Sequence, residues 1–286
     1  MTLRSLTRWA WFPFGAAIGA YFAAPWLLKR AFAPPQRDAD HTPNDLGLPE
    51  QQVWLTGQNG KRLHGWFIPV EGHAPAVVIV HGWGGNAALM LPLAPHLYEA
   101  GFHALFLDAR NHGHSDHDSF ASMPRFAEDL EVAIDWLRAR TEVASVGVIG
   151  HSVGAGAAIF SASRGANLDA VVSVSSPAHP GELMREQMAK VPGPLLTVMF
   201  EVMQRVIGFR FDAFAPRNQI GAVRVPIMLV HGSADEVVGI DNLEDLAAAH
   251  PGAEVLVVPG AGHSDLAPFE PYVANITGFL ARALGQ

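Results

Sequence analysis

Cysteine is absent from this sequence, and charged residues make up only 16% of it. Without cysteine there is no disulfide framework, no thiolate metal site and no cysteine nucleophile, while either side of a membrane stays open. Little charge beside 49% hydrophobic residues excludes a disordered chain and marks a globular one that leans apolar. There is no Walker-type loop and no G-x-G-x-x-G after an expected strand, so nucleotide cofactors are not implied. Internal repeats and long low-complexity segments are missing as well. Acidic residues are lacking before Asp38, where Arg4, Arg8, Lys29, Arg30 and Arg37 stand; the rest holds 14 basic against 27 acidic residues. So acidic a body repels a phosphate backbone, which excludes nucleic acid as an expected partner. What is present, 286 residues, suffices for one large α/β domain with a sizeable core.

Residues 9–28 form a 20-residue run without a charged side chain, flanked by Arg4, Arg8, Lys29 and Arg30. About 20 apolar residues span a hydrocarbon core as a helix. Trp9, Trp11, Tyr21 and Trp26 lie near the ends of the run, where amphipathic rings favour the interface. Residues 1–33 are therefore expected to be an uncleaved, single-pass membrane anchor, and residues 34–50, rich in Pro, Asp and Asn, a linker. The alternative is a signal peptide cut after Ala31-Phe32-Ala33, which yields a secreted protein. Basic residues are nearly balanced across the run; the extracytoplasmic side is the favoured place for the body of the chain.

Residues 51–286 read as one domain. A β-hairpin is expected from residues 53–56 and 63–67 around Gly57-Gln58-Asn59-Gly60. Short, continuously apolar runs follow at 76–80, 103–107, 143–149, 170–174, 227–230 and 254–258, the pattern of strands buried on both faces. Helical stretches lie between most of them, at 87–100, 123–140, 152–164 and 241–249. This alternation predicts a mostly parallel central sheet with helices on both faces. A long segment rich in Met, Leu, Val and Phe breaks the rhythm, and a small helical cap is expected at about 177–222. Its flexible methionines, Met199 and Met203 among them, are expected to line an acyl pocket.

Gly150-His151-Ser152-Val153-Gly154 joins a β-branched apolar run to an Ala/Gly-rich helical segment. A serine on such a sharp turn sits in a strained backbone conformation, so the residues two away on each side must be small. The following helix aims its N–H groups and positive dipole end at the same point. Open α/β sheets build sites at strand ends, and ends here carry His81, Asp108, Ser152, Asp235 and His263. A serine alkoxide is inaccessible near neutral pH without a base. His263 is the candidate base, and a carboxylate must fix its tautomer and stabilise the imidazolium. Asp235 is placed for that, ahead of Glu236 and Asp241. His151 is expected to shape the substrate pocket, and His81 and His231 to bond backbone.

The chain from about Val53 onward resembles α/β-hydrolases of the serine-esterase and serine-aminopeptidase-like type, and most of all the Bem46-like membrane-anchored hydrolases. The resemblance rests on His81-Gly82-Trp83-Gly84, the pentapeptide around Ser152, His231-Gly232-Ser233-Ala234-Asp235 and Gly260-Ala261-Gly262-His263. Asp108-Ala109-Arg110-Asn111-His112-Gly113-His114-Ser115 is similar to the family's D-x-R-G-H-G-x-S, with Asn111 where the family has glycine. The resemblance implies an α/β-hydrolase fold, a Ser152–Asp235–His263 triad and an oxyanion hole of the Trp83 and Val153 backbone N–H groups. His112-Gly113-His114-Ser115-Asp116-His117 also fits the H-x-H-x-D-H metal signature of the metallo-β-lactamase fold. That chemistry needs further ligands such as His151 and His179, yet His151 belongs to the serine turn. No metal and no cofactor are expected. The expected activity is hydrolysis of carboxylic esters, with a small-molecule or lipid-like acyl substrate. A peptidase, thioesterase or acyltransferase uses the same triad, and a non-catalytic binding protein the same scaffold.

Overall fold

The computed structural model describes Trp26, Arg30, Pro34 and residues 36–285. Apart from Trp26 and Arg30, the expected anchor at 1–33, with its apolar run at 9–28, lies outside the described residues. Among the described residues no helix is long and apolar enough to cross a membrane.

The strands are β1 (Gln51–Thr56), β2 (Arg62–Ile68), β3 (Ala74–Val80), β4 (His103–Leu107), β5 (Val143–His151), β6 (Ala170–Val174), β7 (Ile227–Gly232) and β8 (Glu254–Val258). They form one sheet in the order β1-β2-β4-β3-β5-β6-β7-β8. The hairpin β1–β2 pairs Leu55 with Leu63 and is antiparallel, as is β2 against β4. From β4 to β8 the pairing is parallel, with Val78 facing Leu105 on one side and Val148 on the other. β3 is buried along its whole length because both faces are covered. Val78 and Val80 join one apolar cluster while Val77 and Ile79 join the other, as the two-residue period of a strand requires.

The longer helices are α1 (Ala94–Glu99), α2 (Met123–Arg138), α3 (Val153–Ser163), α4 (Pro180–Gln187), α5 (Gly193–Ile207), α6 (Asp241–Ala249) and α7 (Val273–Leu284), beside one-turn helices at Pro216–Gln219 and Leu266–Phe269. α2, α3 and α6 contribute to the first cluster, and α1 and α7 to the second. The single helix expected at 87–100 is split into a 3₁₀ segment, Ala87–Leu93, followed by α1. Pro92 lies inside the 3₁₀ segment, lacks an N–H and crowds the turn before it. α7 had no counterpart among the expected elements, although Val273, Ile276, Phe279, Leu280 and Leu284 are buried at helical spacing. α4, α5 and short turns fill the stretch between β6 and β7. The expected linker is held against the domain: Gln36 Nε2 donates to the Ser115 carbonyl at 2.6 Å, and Pro43 is buried.

Candidate active site

The turn between β5 and α3 carries Ser152 at φ 55°, ψ −119°, a region that β-carbon-bearing residues avoid. Its neighbours explain why the turn needs glycine. A Cβ on Gly154 would lie 2.5 Å from the His81 carbonyl oxygen, and one on Gly150 would run into the backbone of Gly154. The Ser152 N–H is held by the Val174 carbonyl of β6 at 2.8 Å, which ties the turn to the sheet. Such strain persists where the surroundings over-determine it.

His263, on the loop after β8, places Nε2 3.0 Å from Ser152 Oγ and Nδ1 2.8 Å from Asp235 Oδ2. Asp235, just past β7, keeps its other oxygen on the N–H groups of Val237 at 3.0 Å and Val238 at 2.8 Å. Burial raises the Asp235 carboxyl, but the His263 hydrogen bond and these N–H groups outweigh it and hold the group below the usual carboxylate range. Of the three acids considered for this position, Asp235 is the one hydrogen-bonded to His263. A serine, an imidazole and a carboxylate in this chain can pass the serine proton to the imidazole and stabilise the charge that results.

Trp83 and Val153 flank the serine from two elements. Val153 is the first residue of α3. Trp83 follows Gly82, whose Cβ, if present, would lie 3.0 Å from Ser152 Cβ, so the loop backbone runs against the nucleophile. Around them stand histidines whose ring nitrogens serve the backbone. His81 Nδ1 donates to the Gly82 carbonyl (2.7 Å) and its Nε2 accepts from Ala109 N–H (3.2 Å). His231 donates to the Val238 carbonyl (2.8 Å), and His151 Nε2 donates to the His263 carbonyl (2.7 Å). His112 Nδ1 donates to the Arg110 carbonyl and its Nε2 accepts from Gly84 N–H, at 3.0 and 3.1 Å.

Two of the residues nominated for the metal signature have both ring nitrogens engaged. Both His112 nitrogens are engaged with backbone, and His179 bonds Asp212 and the Glu182 N–H. Among the described residues, His64, Asp108 and His114 bring ligand atoms within 4.8 Å. There Asp108 already accepts from His64 Nδ1 and from Ala87 and His114 N–H.

Burial pushes His112 down to about 3 and His151 to about 4. The folded state therefore refuses protons that the unfolded chain takes up below its ordinary histidine value of about 6.5. More protons on the unfolded side means that stability falls as pH drops from about 6.5 toward 4, His112 alone contributing on the order of 4 kcal/mol. Urea midpoints should fall between about pH 7 and pH 5, with a flatter dependence in His112→Asn. A pH-independent midpoint in the unsubstituted protein would contradict this.

Ser152 and His263 open onto a cavity of about 720 Å³. Trp83, Val153, His151 and Met203 line it, with Met184 and Phe211 of the expected cap segment and with side chains the sequence had not singled out, among them Leu89 and Ile276. Met199 is a correction: it does not line the cavity and packs on the core instead. The lining residues of α5 are Met203, Val206 and Ile207, at its C-terminal end, so Met199 lies one turn short of the wall.

A family model described as alpha/beta hydrolase fold matches residues 75–212. The Mycobacterium tuberculosis protein Rv2307c is 29% identical over 221 residues, covering 75% of this chain and 73% of its own. The human protein ABHD12B is 26% identical over 295 residues, covering 92% of this chain and 78% of its own. The structure of the Pyrococcus furiosus esterase Pf2001 is similar with a TM-score of 0.69 at 25% identity, over 88% of this chain and 100% of that one.

Proposed function

Since this chain belongs to the α/β-hydrolase superfamily, we propose that it is a serine hydrolase that cleaves carboxylic esters with apolar acyl groups. The observation that carries the reading is the chain of contacts Ser152 Oγ–His263 Nε2 (3.0 Å) and His263 Nδ1–Asp235 Oδ2 (2.8 Å), set on a strained turn facing an apolar cavity. Ser152 Oγ attacks the acyl carbonyl as His263 Nε2 takes its proton, while Asp235 stays ionised and holds Nδ1–H. The oxyanion forms at the N-terminus of α3, on the N–H groups of Val153 and Trp83; one such donor is worth about 3 kcal/mol in the transition state. His263 then gives the proton to the leaving alcohol as the ester C–O bond breaks. Water repeats the cycle on the acyl-enzyme and releases the acid. The same reading tethers the domain to a membrane through residues 9–28, supported by their length, apolarity and terminal aromatics.

Intact-protein mass after a fluorophosphonate probe tests the nucleophile: one adduct is expected, and its absence from folded protein overturns the reading. Each methylene that the cavity takes from water is worth about 0.8 kcal/mol, so kcat/KM should rise roughly three- to fourfold per carbon until the cavity is filled. A maximum at acetyl esters would remove the apolar-acyl part of the reading.

His151 acts through the loop that carries His263. Its loss in His151→Ala should lower kcat about tenfold, the worth of one buried hydrogen bond, with KM for a short ester little changed. His151→Gln, which keeps a donor, should recover much of it. Equal losses in both variants would assign His151 to packing alone.

A further inference from the structure

Two features of the surface meet at the cavity mouth. Trp83, Leu89 and Val237 line the cavity and are also 42%, 49% and 49% exposed, so three large apolar side chains stand at the rim among the exposed polar ones of Arg37, Gln187, Ser264 and Asp265. Beside them runs the segment that follows the apolar N-terminal run. Asn86, next to Gly85 of the lining, donates to the Arg37 and Asp38 carbonyls at 3.2 Å, and Arg37 itself lines the cavity. Gln36 is fixed on the other side by the Ser115 carbonyl. The chain thus reaches the domain at the mouth.

The length of the connection decides what that means. Seven residues, and so eight Cα–Cα steps, separate Leu28 from Gln36. Fully extended they span at most about 28 Å. A domain of this size has a radius of gyration near 18 Å and a diameter of about 46 Å. If residues 9–28 lie in a bilayer, the tether is too short for the mouth to face away from it. Lys29 and Arg30 fall in this connection and Arg37 directly follows it; all three suit an anionic headgroup layer.

We propose that the cavity mouth rests against the bilayer that holds residues 9–28, and that acyl substrates enter the site from the lipid phase. This rests on the membrane tether proposed above. Trp83, Leu89 and Val237 enter the interfacial layer, where an aromatic ring and aliphatic side chains gain by leaving water. A lipid ester then moves laterally into the cavity with its acyl chain in apolar surroundings throughout.

The absence of cysteine permits a direct test on the full chain. Leu89→Cys at the mouth and Thr141→Cys at the opposite, N-terminal end of β5 carry a nitroxide each. The labelled proteins are reconstituted in phosphatidylcholine–phosphatidylglycerol vesicles. The expected result is a label at 89 at least fivefold less accessible to a water-soluble nickel chelate than the label at 141, and more accessible to oxygen. Equal accessibility overturns the proposal, as does failure of the protein to float with vesicles. Protection at 89 without vesicles points to a second copy on the mouth and also overturns it. This readout needs no turnover, so it stands apart from the hydrolase reading and can be repeated in Ser152→Ala. A long flexible Gly/Ser insertion after Pro34 should lower hydrolysis of a vesicle-embedded long-chain ester at least tenfold and leave a soluble butyrate ester unaffected. Full retention on the embedded ester overturns loading from the lipid phase.

Discussion

Ser152→Ala is expected to lower kcat/KM for activated esters by about 10⁴- to 10⁶-fold, the cost of removing a triad nucleophile. What is left would come from binding and from the oxyanion donors, which the substitution leaves in place. Stability should hardly change. Alanine keeps a Cβ at φ 55° and so keeps the strain of the turn, and the lost Ser152–His263 contact is partly exposed to solvent. Ser152→Gly separates the two effects: equally inactive, it should be more stable than the alanine variant by about 1 kcal/mol, because glycine adopts this conformation without strain. Hydrolysis kinetics with far-UV circular dichroism and thermal unfolding settle the matter. Turnover within tenfold of the unsubstituted protein would remove Ser152 from the mechanism.

Asp108→Ala is expected to be the most destabilising single change in the loops around the site, on the order of 3–5 kcal/mol. The carboxylate is buried and takes three hydrogen bonds: Ala87 N–H on Oδ1 at 2.7 Å, and His64 Nδ1 at 2.8 Å and His114 N–H at 3.0 Å on Oδ2. Burial raises its pKa, yet the His64 hydrogen bond and the donors around it hold it below the usual range, so it acts as an acceptor throughout. Removing it leaves buried donors from three segments unsatisfied. One of these, Ala87, begins the 3₁₀ segment just after Gly84 and Gly85, so the loop that carries Trp83 should loosen together with the fold. Urea unfolding measures the first effect and short-ester kinetics the second. A loss below about 1 kcal/mol would mean that water satisfies these donors and that Asp108 is dispensable.

Asn111 shows how local chemistry survives an apparent departure from pattern. It stands where the resemblance calls for glycine, and its φ is 67°. Asparagine tolerates the left-handed region better than most residues. Here its side chain also accepts from Asp118 N–H and donates to the Phe120 carbonyl, at 2.7 and 3.0 Å. The loop keeps its course without glycine. The H-x-H-x-D-H run makes the converse point: spacing alone does not tell a ligand from a backbone staple. Only the fold turns both nitrogens of His112 toward the Arg110 carbonyl and Gly84 N–H.

The alternation of apolar runs and helical stretches was enough to place every strand of the sheet within a few residues; β3, β4 and β7 are buried throughout, as continuous apolarity predicts, whereas β8, expected to be buried on both faces, is largely exposed because it lies at the sheet edge. The glycines around Ser152 and the order of Ser152, Asp235 and His263 were likewise legible, since a strained turn and a strand end leave local signatures. α7 escaped because its apolar stripe follows a Pro-containing loop and no strand comes after it to set the alternation. The rest of the cavity wall, beyond His151 and the cap methionines, escaped for a different reason. Its residues come from the oxyanion loop, the stretch between β6 and β7, and the C-terminal helix, and no sequence period links them. The methionine-rich composition of the cap segment pointed to Met199 and Met203 alike, but only the packed position of α5 decided that its last turn, and not the one before, closes the cavity. The sequence by itself determined the sheet, the turn and the residues at the strand ends, because those depend on neighbours along the chain. Tertiary structure alone decided which histidines staple backbone and which apolar side chains meet at the mouth, because those depend on contacts between segments far apart in sequence.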